Sequence, residues 1–179
     1  MDNPLYSKIE NSTAHRQARD LISNEVISNP KSFPQLLQMA LDPTTKSHYK
    51  ACLILELILE QHPNWLAPYL DRFTAVLPFY KHDGAIRSVS KIGMFLARQH
   101  MKNKLLSEAQ IHKITENCFD WLISEQKVAA KVYAMRTLFE LGKLQQWIYP
   151  ELKTIIQKDY MHHTAAYKAA SRDILKRMS

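Results

Sequence analysis

The sequence predicts an all-α fold: a right-handed α-α superhelix of about nine helices, four antiparallel pairs behind an N-terminal capping helix. Three observations lead there. Glycine occurs three times in 179 residues, where about 7% is usual. Apolar residues recur with helical period along most of the chain, and no stretch alternates as a half-buried strand would. The opening of one helix also recurs at a distance of 82 residues, which argues for repeats rather than a simple bundle. The 46% of apolar residues supplies a core and excludes wholesale disorder. So few glycines leave none for a phosphate-binding loop or for many tight hairpin turns.

Each helix has its own signals. Ala14, Ala18, Leu21, Ile22 and Val26 mark a stripe on a first helix over 13–28, stopped by Asn29-Pro30. A second opens near Ser32 with Pro34 in its first turn, where a missing N–H is harmless, and ends before Asp42-Pro43. The third spans 45–61 and stops at His62-Pro63. A fourth is expected from about Pro68 to Tyr80, and a fifth over 85–101 after the Asp83-Gly84 turn. Ser107 and Gln110 have capping-box spacing and open a sixth, which reaches Ile123. The seventh covers 127–141, with Gly142 expected as its left-handed C-terminal residue. The eighth runs from Pro150 to about Tyr160 and the ninth over 164–178. These combine into one repeat domain over 1–179, with a cap at 1–30 and pairs at 32–61, 64–101, 107–141 and 147–178.

The repeats have a grammar. Trp65-Leu66-Ala67-Pro68-Tyr69-Leu70 aligns with Trp147-Ile148-Tyr149-Pro150-Glu151-Leu152, and Phe33-Pro34-Gln35-Leu36 is a shorter version. In the partner helices, Lys50, Arg87, Lys131 and Lys168 stand near each start. Leu53, Ser90, Ala134 and Ser171 follow at three residues, and Leu57, Met94, Leu138 and Leu175 at seven. The position at three is small in three of the four, which permits close helix approach, and the position at seven anchors the pair.

A two-helix unit of this length, whose second helix opens on V-R-x-x-A-x-x-A-L-like residues, resembles the HEAT repeat of the armadillo-type fold. Ile86-Arg87-Ser88-Val89-Ser90-Lys91-Ile92-Gly93 carries the resemblance best, with Ala130 to Leu138 close behind. It covers residues 32–178 and implies an extended binding surface. The third unit lacks the aromatic–proline start. The chain is also similar to small bacterial helical-repeat proteins, some of which bear an adenylosuccinate lyase name. That activity is not carried over, because the lyase family's Ser-Ser-containing mobile loop and its length are both missing.

Charge points to a surface. Residues 1–90 contain nine Lys/Arg and nine Asp/Glu, so the net +7 falls wholly in 91–179. Arg87, Lys91, Arg98 and Lys102 fall within about 60° of one another on a helix. Lys127 and Lys131 form a second stripe, and Lys168, Arg172 and Lys176 a third. With Lys50, these cations are the candidate binding residues, and the repeat-aligned Tyr49 and Tyr167 beside them are candidate ligand contacts. The reading is a binding module for a protein or polyanion partner, without catalysis. The alternative, a HEAT-like alkylpurine DNA glycosylase, would also use a basic cleft, with Asp83 or Asp120 as the acid. Trp65, Trp121 and Trp147 read as packing residues.

Other chemistry finds no pattern. Cys52 and Cys118 sit in apolar segments and read as buried thiols. His162-His163 lacks a second ligand pair with chelating spacing, so no metal and no cofactor are expected. The N-terminal residues lack the apolar region of a signal peptide. The longest apolar run, Ala51–Leu59, is far short of a membrane span. A soluble cytoplasmic protein is the expectation.

Overall fold

The computed structural model describes residues 4–13 and 15–178. Its contacts divide the chain into two compact units, Met1–Ile92 and Gly93–Ser179. Every regular element among the described residues is helical.

The N-terminal unit opens with α1 (Pro4–Glu10) and α2 (Arg16–Ser28). A 3-10 turn at Pro30–Ser32 leads into α3 (Phe33–Ala40), and α4 (His48–Gln61) follows. The fourth predicted helix is a composite: 3-10 at Pro63–Tyr69, α5 over Leu70–Val76, then 3-10 at Leu77–Phe79. Pro63, Pro68 and Pro78 explain this, since each lacks the N–H that an α-helical ladder needs. Helix α6 (Asp83–Asn103) runs through the division.

Helix α4 is the hub, packed against α1, α2 and α3. Residues 51–59 are buried throughout, Glu56 included. Tyr80 closes the unit by donating its hydroxyl to the Ala40 carbonyl at 2.7 Å, and the buried Cys52 thiol approaches the same oxygen at 3.4 Å. Burial pushes that thiol up to about 12, so it stays protonated and inert.

Helix α1 has no counterpart among the predicted helices. It has only two buried apolar residues, Leu5 and Ile9, too few for periodicity to register. In α2 the buried positions are Ile22, Ser23 and Val26, while Leu21 of the predicted stripe is exposed. Ala14 lies outside the described residues.

The C-terminal unit contains the end of α6, then α7 (Glu108–Ile123), α8 (Val128–Gly142), α9 (Ile148–Asp159), a 3-10 turn at Tyr160–His162 and α10 (Ala165–Arg177). The Ser107 hydroxyl accepts from the Gln110 N–H, and the Gln110 side chain accepts from the Ser107 N–H, as the spacing predicted. Here α8 is the hub, against α7, α9 and α10.

Gly142 corrects an expectation. It has no positive φ and is the last residue of α8 rather than a left-handed cap. A Cβ there would overlap the ring of Tyr149, so the requirement is close approach, not backbone freedom. That ring stacks on Phe139 at 5.8 Å.

The aligned helix starts fold as their grammar implies. Leu66 and Ile148 are fully buried, as are Leu36, Leu70 and Leu152 or nearly so. Trp65 packs edge-on against Phe33 at 5.3 Å. Trp147 stacks on Phe119 at 6.0 Å with half its surface in solvent. Trp121 is buried.

Candidate functional site

The predicted basic residues meet different fates in the two units. In the N-terminal unit they are bound into the structure. The Lys50 ammonium donates to the carbonyls of Glu10 at 2.6 Å and Ser12 at 2.8 Å, neutralising the C-terminal end of α1. Arg87 on α6 donates through Nη1 to Glu56 on α4 at 3.0 Å. Lys91, one turn on, bridges Glu56 at 3.0 Å and Glu60 at 3.3 Å. Ser88 donates its hydroxyl to the same Glu56 at 2.7 Å. A buried carboxylate is thus met by two cations and a hydroxyl, which offsets its desolvation. Burial works against the Lys91 charge, but the hydrogen bond and charge of Glu56, then those of Glu60, outweigh it and raise its pKa. Tyr49 lies flat on His82, ring centres 3.9 Å apart.

In the C-terminal unit fewer of the predicted cations meet a carboxylate among the described residues. Arg98 is half exposed, 4.0 Å from Glu140, whose other oxygen is held by Lys143. Lys102 is exposed and makes no ion pair among the described residues. Lys127 stands exposed at the N-cap of α8. Lys131, one turn into α8, is buried and also makes no ion pair among the described residues. Its charge acts on His163: desolvation first, then Lys131, lower that imidazole's pKa.

Around that point an aromatic and cationic cluster forms. His163 stacks on Tyr167 at 3.9 Å, with Nε2 3.8 Å from Asp159. Tyr167 is fully buried, and its hydroxyl finds no hydrogen-bond partner among the described residues. Burial and the Asp159 charge push it up to about 12. Arg172 donates through Nη1 to the Tyr160 hydroxyl at 2.8 Å, and the Lys168 ammonium lies 5.7 Å over the Tyr160 ring. Lys176 is exposed farther along α10, beside Lys153 of α9. The α10 stripe therefore gathers two of its three cations on one tyrosine. In the sequence Tyr160 signals nothing more than a helix end. Its spacing of eight and twelve residues from Lys168 and Arg172 is no local motif.

A second feature carries no local signal in the sequence. An open groove of about 570 Å³ runs between α8 and α10, with Val128, Val132 and Tyr133 on one wall and Ala166 and Ala169 on the other. Arg136 and Asp173 supply its charges. Helical geometry turns Lys168 away from the Ala166–Ala169 side. Groove and cations thus use different faces of α10.

Asp83 and Asp120 are both exposed. Among the described residues, no group of three or more His, Cys, Asp or Glu side chains is placed to hold a metal ion. No helix of the described residues is long and apolar enough to cross a membrane.

No curated protein and no solved structure matches the chain. A family model described as a HEAT repeat domain does match, over residues 5–178. That span takes in both units and, beyond the expected 32–178, nearly all of α1 as well as α2. On that match over nearly its whole length, the chain belongs to the HEAT repeat domain family, whose repeats act as binding and scaffolding surfaces.

Proposed function

We propose that the chain is a non-enzymatic binding module that receives an anionic macromolecule on the cations of its C-terminal unit. One observation carries this reading. Lys50, Arg87 and Lys91 are spent on backbone carbonyls and carboxylates. Lys168, at the same repeat position, forms no ion pair among the described residues and, with the exposed Arg172 and Lys176, is open to solvent, while Lys131 is buried. Cations that the fold does not neutralise are available to phosphate or carboxylate groups of a partner. Tyr160 holds Arg172 and Lys168 in place, which lowers the ordering cost on binding.

The glycosylase-type alternative needs a carboxylate held for chemistry in the basic surface. Asp83 and Asp120 are exposed, and the buried Glu56 already accepts from Ser88, Arg87 and Lys91. The binding reading is therefore preferred.

The test is titration of the full chain with a labelled DNA duplex, an RNA duplex and polyglutamate at 50 and 200 mM salt. A nucleic-acid partner should show affinity that falls steeply with salt. The double variant Lys168→Glu/Arg172→Glu should weaken binding and flatten the log–log salt slope by about two. Lys31→Glu/Lys46→Glu, a charge-matched change at exposed positions of the other unit, should not. Polyglutamate binding with the same variant response would identify an acidic protein surface instead. No binding to any of the three at low salt would remove the proposal.

A further inference from the structure

The N-terminal unit contains a cavity that the basic surface does not use. It has a volume of about 620 Å³ and is lined by Pro43 and Thr44 after α3, His48 at the start of α4, and Phe79, Lys81 and His82 before α6. Four features of its wall are specific.

His48 is buried, and its Nδ1 lies 2.6 Å from the Thr45 carbonyl. A carbonyl only accepts, so Nδ1 carries the hydrogen and the neutral ring presents a lone pair at Nε2. Nε2 is buried and has no partner among the described residues, a costly condition that a donor would relieve. His82 has the opposite tautomer. Its Nδ1 accepts from the Gly84 N–H at 3.1 Å, which leaves Nε2–H as a donor. The Tyr49 ring beneath fixes its plane. Lys81 is exposed and forms no ion pair among the described residues. Phe79 is 64% exposed, a large apolar surface turned to solvent at the mouth of the cavity. Asp42, next in sequence to the lining, uses its Oδ1 to accept from the Thr44 N–H at 3.1 Å and from its hydroxyl at 2.5 Å.

We propose that this cavity is a small-molecule site for a planar ring that bears both an anionic group and a hydrogen-bond donor. Phe79 covers one face of the ring. Lys81 and the His82 Nε2–H take the anion. The His48 lone pair takes the donor. Phenolic acids and nucleoside monophosphates share this chemistry. The site is built wholly from residues of the N-terminal unit and shares none with the C-terminal cations, so it stands or falls independently of the partner proposed above.

The experiment is a ¹H–¹⁵N and imidazole NMR titration of the full chain with 4-hydroxybenzoate, benzoate, adenosine monophosphate and inorganic phosphate. Shifts at His48, Phe79 and His82 are expected with the ring-borne anions. Phosphate alone should bind more weakly. 4-Hydroxybenzoate should bind about fivefold tighter than benzoate, the worth of one hydrogen bond to His48. If adenosine monophosphate binds tighter than 4-hydroxybenzoate, the natural ligand class is a nucleotide; the reverse order points to a phenolic acid. Lys81→Gln should weaken every anion, Phe79→Ala the ring compounds alone, and Lys31→Gln none. His48→Phe should erase the preference for the hydroxylated ring. Should that buried change fail to fold, the two exposed variants still decide. No localised shift with any ring compound overturns the proposal, as does phosphate binding as tightly as the ring anions or indifference to Lys81→Gln.

Discussion

Lys91 lies 3.0 Å from Glu56, on a helix that begins more than twenty residues later, and the carboxylate it meets is only 3% exposed. A charge that deep depends on its donors. Glu56→Gln keeps the shape but leaves Lys91 and Arg87 without the charge they face. Removing one partner of a buried pair costs about 3–5 kcal/mol, and the lower end is expected because Arg87 is partly open to solvent. Urea unfolding measures it. The pH dependence has a definite sign. Lys91 has a raised pKa, so its contribution is complete below 10.5 and is lost as pH rises through the higher folded-state value. Glu56→Gln should shrink that alkaline decline, leaving only the part that Glu60 sustains. A variant that declines just as wild type does would refute the coupling.

Lys50 anchors a helix that the sequence did not announce. Its two bonds to the carbonyls of Glu10 and Ser12 hold the end of α1. Lys50→Met keeps the stem and removes both. A loss of about 1.5 kcal/mol is expected, the low end for bonds to a charged group because the site is half open to water. Hydrogen exchange should quicken at residues 5–9 and leave α8 unchanged. Uniform destabilisation would show that α1 is not separately held.

What the sequence revealed and what it hid divide by range. Ser107 and Gln110 could be read as a cap because both partners lie within four residues. The small residues three places past three of the four ladder cations could be read because helix packing repeats them: Ser90, Ala134 and Ser171 are all fully buried. The fate of the cations could not. Lys50 and Lys131 are equivalent in sequence, and only the fold brings carbonyls 38 and 40 residues upstream to the first of them. Likewise Glu56 looks like surface charge in an i,i+4 pair with Glu60, until α6 delivers Ser88, Arg87 and Lys91 to it. Gly142 is legible as a helix end, but its reason, the Tyr149 ring, lies seven residues ahead on the next helix.

That contact gives a change of sign. Gly142→Ala alone should destabilise by about 1–3 kcal/mol, since its methyl must displace a ring stacked on Phe139. In a Tyr149→Ala background the obstacle is gone. The same substitution should then stabilise by up to about 0.5–1 kcal/mol, the ordinary preference of a helix for alanine over glycine. Chemical denaturation of all four proteins closes the cycle. Additive effects would mean the ring is not what excludes the side chain.

The turn after α6 should sense acid. His100 is buried, and its Nδ1 accepts the Leu106 N–H at 2.9 Å. A proton at Nδ1 would break that bond. Burial, then the charge of Lys104, lower the His100 pKa from 6.5. Between the folded and unfolded values the unfolded chain binds more protons, so stability rises with pH. The contribution is complete above about 6.5 and is lost as pH falls through the folded-state value. Lys104 also has φ 54°, the left-handed region, where a side chain costs about 1 kcal/mol and glycine does not. Lys104→Gly should therefore do two things together. It should stabilise the protein at pH 7.5, and it should raise the His100 pKa part of the way to 6.5, because burial, the larger cause, remains. Thermal melts read the first and an NMR titration of the His100 ring reads the second. A variant that gains stability with His100 unmoved would show that the turn is strained but that Lys104 does not set the imidazole's charge.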